Sequence, residues 1–266
     1  MTFQAVLPFG GYTGWKFLGR TKDVQQATFN KTVQVQREIE YFKNKIASIP
    51  SAEALVNDRQ LLKVALGAFG LDDDLRNKFF LKKVLEEGTA AKGALANRLS
   101  DKRYFEFTQA FGFGDAAGPN TEKTGFAQTI IEAYKTKQFE IAVGKKNSDM
   151  RLALSIERDL PVLADRAASD NTKWFTILGS APMRKVFEKA FGLPPSFASV
   201  DIDTQLSTMR QRAETIFGDT TVSQFGDPDK IEKLVRLFLV RSDQQTGSFT
   251  SANSVGLQLL QSRRGF

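Results

Sequence analysis

The sequence predicts an all-α fold, a multi-helix bundle, on three observations. Apolar residues recur at spacings of three and four through most of the chain. Polar or acidic residues stand before these runs and a glycine after them, the pattern of capped helix starts and left-handed helix ends. No stretch sustains the strict alternation of a strand. At 266 residues the chain makes one large or two modest domains, and either buries most of its unfolded surface. An elongated body and a degenerate helical repeat are both open readings.

Residues 1–20 mix Gly10, Gly11, Gly14 and Gly19 with Phe3, Phe9, Tyr12, Trp15 and Phe17. That is too glycine-rich for a helix interior and too aromatic for an inert linker, so a loosely structured N-terminal segment is predicted. From Asp23 a helix is written by Val35, Ile39, Phe42, Ile46 and Ile49 until Pro50 stops it. Thr28, Lys31 and Thr32 dilute its stripe, and Gln25, Gln26, Gln34 and Gln36 mark wetter sides, so it is expected to be half covered by its own domain. Asp58 can cap a helix through Leu61, Leu62, Ala65 and Phe69 to Gly70. The next run starts in Asp72 to Asp74, carries Leu75, Phe79, Val84 and Leu85, and stops at Gly88, with Lys82 and Lys83 near its negative end. Residues 89–99 predict an alanine-rich helix, and Ser100 or Asp101 starts another through Tyr104, Phe107, Ala110 and Phe111 to Gly112.

The stretch FGFGDAAGPNT, residues 111–121, is the densest in Gly, Pro, Asn and Asp. It divides the chain into a helical subdomain over 21–111, a linker over 112–121 and a second helical subdomain over 122–266. In the latter, Thr121 starts a helix through Phe126, Ile130 and Tyr134, and Asn147 or Ser148 starts one through Leu152, Ile156 and Leu160 that Pro161 kinks. Trp174 reads as core. Ser180 with Pro182 opens a helix through Val186, Phe187 and Phe191 to Gly192, and Asp203 or a neighbour opens one through Leu206, Met209, Ala213 and Phe217 to Gly218. Asp227-Pro228 opens another through Ile231, Leu234, Val235 and Phe238, and Asn253 a last one with Val255, Leu259 and Leu260. Ala68-Phe69-Gly70-Leu71, Ala110-Phe111-Gly112-Phe113 and Ala190-Phe191-Gly192-Leu193 close three helices with one signature: a last core Phe, a left-handed Gly and an apolar residue folding back.

The chain contains no Cys and no His, which excludes disulfides, thiol nucleophiles, imidazole triads and zinc sites of the usual kind. The net charge of +7 is spread in pairs such as Lys82-Lys83, Lys145-Lys146 and Arg263-Arg264, with acids close by, so no phosphate-binding stripe forms. Arg210 with Arg212, and Arg236 with Arg241, come nearest to a nucleic-acid face and are too sparse. No window approaches a membrane span, and the opening residues have neither a charged n-region nor an apolar h-region, so no Sec signal is expected. The localisation stays open between cytoplasm and export without a cleaved signal.

Asp72-Asp73-Asp74 fails as an EF-hand and reads, like Asp201-Ile202-Asp203 and Asp227-Pro228-Asp229, as helix capping, so no metal is expected. Phosphate loops and dinucleotide sites need glycines after a strand, no Gly-x-Ser-x-Gly elbow occurs, and no motif nominates a Ser/Lys pair. No catalytic residue, cofactor or small-molecule substrate is nominated, and a function carried by surface contacts is expected. Packing on the chain's own core is the plainer reading of the N-terminal aromatics, because exposed aromatic patches on monomers are uncommon. The contact patch the sequence offers is terminal: Phe3, Trp15, Phe17, Leu18, Leu257 and Leu260.

Thr13-Gly14-Trp15-Lys16-Phe17-Leu18, the helix with Glu40-Tyr41-Phe42 ending in Ile46 to Pro50, and the repeated Ala-Phe-Gly-Leu closures together resemble an alphaproteobacterial family catalogued as a domain of unknown function. Members of that family are often encoded among flagellar genes, some with flagellar or basal-body rod-related descriptions. The resemblance spans nearly the whole chain, and its motifs are helix punctuation with no catalytic residue to carry over. It implies a flagellum-associated structural or assembly protein of motility, touching other flagellar proteins or itself. The alternatives are a cytoplasmic chaperone-like adaptor binding partner helices and a basic helical regulator of nucleic acid.

Overall fold

The computed structural model describes residues 3–244. Those residues form an all-α multi-helix bundle without a strand. Contacts divide it into two compact units: the described part of Met1–Ala5 with Thr21–Val143, and Val6–Arg20 with the described part of Gly144–Phe266. Neither is contiguous in sequence.

The first unit takes the second half of α1 (Gly11–Asn30), then α2 (Val33–Lys45), α3 (Ala52–Asn57), α4 (Arg59–Phe69), α5 (Lys78–Glu87), α6 (Leu95–Arg98), α7 (Arg103–Phe111) and nearly all of α8 (Phe126–Gly144). The helix expected to run unbroken from Asp23 to Pro50 is two helices. Thr32 is extended, its hydroxyl donates to the Phe29 carbonyl at 2.8 Å, and Gln36 Nε2 donates to the Asn30 carbonyl at 2.6 Å. Side chains that compete for backbone groups end α1 where its apolar stripe fades. Asp58 caps α4 as expected, its Oδ1 accepting from Gln60 and Leu61 N–H at 3.0 and 3.1 Å. The core joins Phe42, Leu55, Leu62, Leu66, Leu85, Phe107 and Tyr134, with Phe69 and Phe107 edge to face at 5.5 Å. Such aromatic pairs contribute about 0.5–1.5 kcal/mol beyond burial.

Two expected helices are shorter than the sequence suggests. Asp72–Arg76 is a tight 3-10 turn, and α5 begins only at Lys78, after Asn77 leaves helical geometry. The break resets the helical phase: Leu81, Val84 and Leu85 are buried, Phe80 meets Tyr104 at 5.2 Å, and Phe79, expected in the core, is 83% exposed. Between residues 89 and 99 only α6 is helical, because Asn97 Nδ2 donates to the Thr89 and Ala91 carbonyls and holds a turn there.

Residues 112–121 do not separate the two units; they belong to the first. Asp115 Oδ1 accepts from Thr89 N–H at 2.9 Å, Asn120 Nδ2 donates to the Gln109 and Ala110 carbonyls at the end of α7, and Thr121 donates to the Ile49 carbonyl. Gly114 lies so close to Glu86 and Gly88 that a β-carbon would stand 2.3 Å from a carbonyl oxygen. Linker composition and tied-down loop composition are the same, and only tertiary contacts separate them. The division falls instead at Val143, one residue before α8 ends.

The second unit comprises α9 (Ser148–Asp165), α10 (Asp170–Gly179), α11 (Ala181–Phe191), α12 (Ile202–Phe217) and α13 over residues 228–244, with Val6–Arg20. Asn147 and Asp201 cap α9 and α12, and Asp227 Oδ1 accepts from Asp229 N–H at 2.9 Å where α13 starts. Pro161 lies inside α9, which continues to Asp165. Trp174, Phe187, Phe191 and Phe225 are fully buried, with Phe187 edge-on to Trp174, Phe191 and Phe225. The helix expected at Asn253, with Leu257 and Leu260 in its vicinity, lies outside the described residues.

The two units repeat one order of elements. An Ala-Phe-Gly-closed helix (α4, α11) leads into a 3-10 turn (Asp72–Arg76, Pro195–Ser199), then a helix ended by a positive-φ glycine, Gly88 after α5 and Gly218 after α12. A turn follows whose amide side chain donates to two carbonyls, Asn97 in one unit and Gln224 in the other, the latter reaching Asp219 and Thr221. An aspartate then opens the next helix, Asp101 at α7 and Asp227 at α13. Gly70 and Gly192 take the same double closure, Leu71 N–H to Leu66 O at 3.0 Å and Leu193 N–H to Glu188 O at 2.9 Å, whereas Gly112 makes the simpler single bond to Thr108 O.

Glu38 is the polar centre of the first unit. Standing on α2, it accepts from Lys63 of α4, from the Tyr134 hydroxyl of α8 and from Gln34. Burial works to raise its pKa, but the hydrogen bonds from Lys63 and Tyr134 outweigh it and hold the carboxyl below its ordinary 4.5. A depressed carboxyl stabilises the fold fully above its unfolded value and loses that contribution as pH falls through the folded value. Thermal melts are expected to weaken progressively below pH 4.5. Glu38→Gln should cost about 1–3 kcal/mol near neutrality, with the gap to wild type closing in acid.

Gly67 supplies a second test. A β-carbon there would stand 2.7 Å from the Tyr134 ring, which is 1% exposed and held through its hydroxyl. Ala is the better helix former by about 1 kcal/mol, yet Gly67→Ala is expected to lower stability by about 1–3 kcal/mol in denaturant unfolding, because the ring cannot yield.

Candidate functional site

Trp15 of the expected contact patch, with its neighbours Tyr12 and Lys16, meets α13 inside the second unit. Glu232 receives the Tyr12 hydroxyl at 2.7 Å on one carboxylate oxygen and the Trp15 indole N–H at 3.1 Å on the other. Lys16 pairs with the same carboxylate. Burial raises the pKa of Glu232, and the hydrogen bonds from Lys16, Tyr12 and Trp15 overcome it and hold the group below the usual glutamate range. The Lys16 ammonium is raised, chiefly by its hydrogen bond to Glu232. The Arg236 guanidinium lies 5.6 Å from the Tyr12 ring centre. At the start of α1, Asp243 fills the space a Gly11 side chain would take, its carboxylate 1.7 Å from where a β-carbon would stand.

This changes the role of the expected patch. Trp15 is 4% exposed and Leu18 fully buried, so neither offers a surface, and the loose segment expected over 1–20 is helical from Gly11. Four glycines argued against a helix; the docking of Trp15 and Leu18 outweighs that cost of about 1 kcal/mol per residue. Phe17 is half-buried. Phe3 belongs to the first unit, where its ring lies 5.3 Å from Phe29 and 6.2 Å from Phe139. Leu257 and Leu260 lie outside the described residues. Sequence reading missed Glu232, which is one acid among many on an amphipathic helix until the fold brings three donors to it.

A second constellation was invisible in the sequence. Lys173 of α10 is buried, and its ammonium donates to the Ala164 carbonyl near the end of α9 and to Ser223 Oγ at 2.8 Å. Beside it, Asp170 accepts from Val222 N–H and from Arg210, both at 2.8 Å, and the Trp174 N–H donates to the Thr220 carbonyl at 3.0 Å. A serine against a lysine could suggest a nucleophile and its base. Here the lysine donates to both partners, and Ser223 Oγ accepts a hydrogen bond from it. The cluster clamps α9, α10 and the turn Val222–Gly226 together.

The acidic runs cap or brace. Asp74 accepts from Asn77 Nδ2 and the Tyr104 hydroxyl, and Asp72 from Gln138. No group of three or more His, Cys, Asp or Glu among the described residues is placed to hold a metal ion. Near the end of α11, Arg241 donates to the Ala190 carbonyl and Lys189 to Ser242 Oγ at 3.1 Å, so the cations lining the cleft beside Pro194 and Pro195 are engaged by the fold. No helix among the described residues is long and apolar enough to cross a membrane.

These features define an all-α protein of two similarly ordered units. Residues 68–231 match the family described as protein of unknown function, DUF1217, and the chain belongs to that family. The match runs from the closure of α4 to the first turn of α13, across both copies of the repeated order, and stops one residue short of Glu232. The chain is also similar to the crystal structure of protein AGR_C_984 from Agrobacterium tumefaciens, at 28% identity and a TM-score of 0.73. That similarity covers 91% of this chain and 99% of the other. No curated protein matched the chain.

The buried ring and the exposed ion pair of the N-terminal contact should separate on substitution. Trp15→Ala is expected to cost about 3–5 kcal/mol in denaturant unfolding. Lys16→Ala should leave the midpoint close to wild type, since exposed pairs are screened by solvent and salt.

Proposed function

We propose that the protein is a non-enzymatic component of flagellar assembly or structure that works through protein–protein contacts. The non-enzymatic part is supported by the engagement of the groups that chemistry would need: Lys173 is tied to a helix end, Ser223 accepts from it, and the aspartates cap helices. The flagellar part rests on the resemblance read from the Thr13-to-Leu18 stretch and the Ala-Phe-Gly-Leu closures. The observation that carries the contact reading is Phe79, 83% exposed on α5, with Val24 and Val33 also largely exposed in the same unit. Large apolar side chains held on helices in water are the surface a partner would cover.

The test is the distribution of the protein among cytosol, envelope and medium, in bacteria with a working flagellar export gate and in bacteria lacking one. A structural component is expected outside the cytosol only when export works. Confinement to the cytosol in both strains would leave the adaptor reading. In either case Phe79→Ser is expected to weaken capture of the flagellar partner while leaving the melting temperature close to wild type, because the ring is not part of the core.

A further inference from the structure

We infer that residues 6–20 are an exchangeable strap, and that the groove they occupy on the second unit accepts the same strap from another copy of this chain. The inference stands apart from the flagellar reading and rests on four observations. First, the strap is distant in sequence from its seat: Tyr12 and Trp15 reach Glu232 across 220 and 217 residues. Every contact described there, to Met150, Glu232, Arg236 and Asp243, is non-covalent and would be the same if a second copy supplied the partner.

Second, the strap is a poor helix on its own. Its helical part, GYTGWKFLGR, combines three glycines with β-branched and aromatic residues, so its helix depends on being seated. Third, leaving the groove exposes Trp15 and Leu18, which are buried when seated, so a released strap needs an apolar seat, and the groove of another copy is the one shaped for it. Fourth, a hinge is in place. Gly19 stands one residue before the last of the strap, inside α1, and a β-carbon there would meet nothing within 4 Å. No packing requires its small size, and a glycine in mid-helix weakens the helix where the strap would have to bend. Gly14 and Gly11, by contrast, are demanded by close approach, to the Phe9 carbonyl and to Asp243.

At low concentration the strap's own groove wins, because it is tethered; exchange rises with local concentration. The charge pair at the contact gives a test that needs no knowledge of a partner. At low ionic strength Lys16→Glu sets like charges together and so damages the strap while leaving the groove intact, and Glu232→Lys, which also removes the acceptor of Tyr12 and Trp15, damages the groove while leaving the strap intact. Each variant alone is expected to be monomeric in sedimentation. An equimolar mixture is expected to form a mixed dimer, since the intact strap of one fits the intact groove of the other, with apparent affinity at least tenfold above either variant with itself. A mixture that sediments as two monomers overturns the proposal.

If either variant fails to fold by circular dichroism, the wild-type chain decides. Two populations carrying different fluorophores, incubated together at high concentration and then diluted, should show energy transfer that decays slowly, and Gly19→Ala should slow its appearance several-fold. Absence of transfer across the concentration range refutes exchange.

Discussion

Trp15 can leave water only against helices that follow it by well over a hundred residues, and this requirement governs how the chain is arranged. The indole ends on Glu232 of α13, and the glycine one position before it packs close to Met150 of α9. The second unit is therefore completed by a segment that joins it from far away in sequence, Val6–Arg20.

Each unit gathers donors from separate parts of the chain onto one half-shielded glutamate. Glu38 takes Lys63 and Tyr134 from two other helices, and Glu232 takes Tyr12, Trp15 and Lys16 from one. In both, burial disfavours the charge and the assembled donors restore it. A carboxylate of this kind adds little net energy, since desolvation offsets much of the attraction. It does penalise misplacement, because a shifted helix would leave the charge without its assembled donors. Packing of apolar side chains, Phe42, Phe107 and Tyr134 among them in one unit and Trp174 and Phe187 in the other, provides the burial energy. The glutamates fix which side chains meet.

The repeated order of elements gives polar side chains of the two units matching structural tasks. Both copies use a left-handed glycine to end one helix, an amide side chain to hold the following turn and an aspartate to begin the next helix. Short helices need many ends satisfied, and each end consumes polar groups. Ser223, Lys173 and Asp170 hold α9, α10 and the turn at Val222 together through their hydrogen bonds. Among the described residues the surface also carries a scatter of exposed large apolar side chains, of which Phe79 is the most exposed.

By itself the sequence determined the all-α class, the caps at Asp58, Asn147 and Asp227, and the three Ala-Phe-Gly closures, because each is decided within one turn of helix by side chains next to the backbone groups they satisfy. The tertiary structure alone decided the rest. Phe79 faces water and Phe80 packs on Tyr104 because a 3-10 turn resets the helical phase ahead of α5. The 112–121 stretch reads as a linker and is a braced loop, since its composition serves both. Residues 11–20 are helical against their own propensity, because Trp15 and Leu18 gain more from burial than the glycines lose in order. Those outcomes depend on residues far away in sequence, and no local pattern carries information about them.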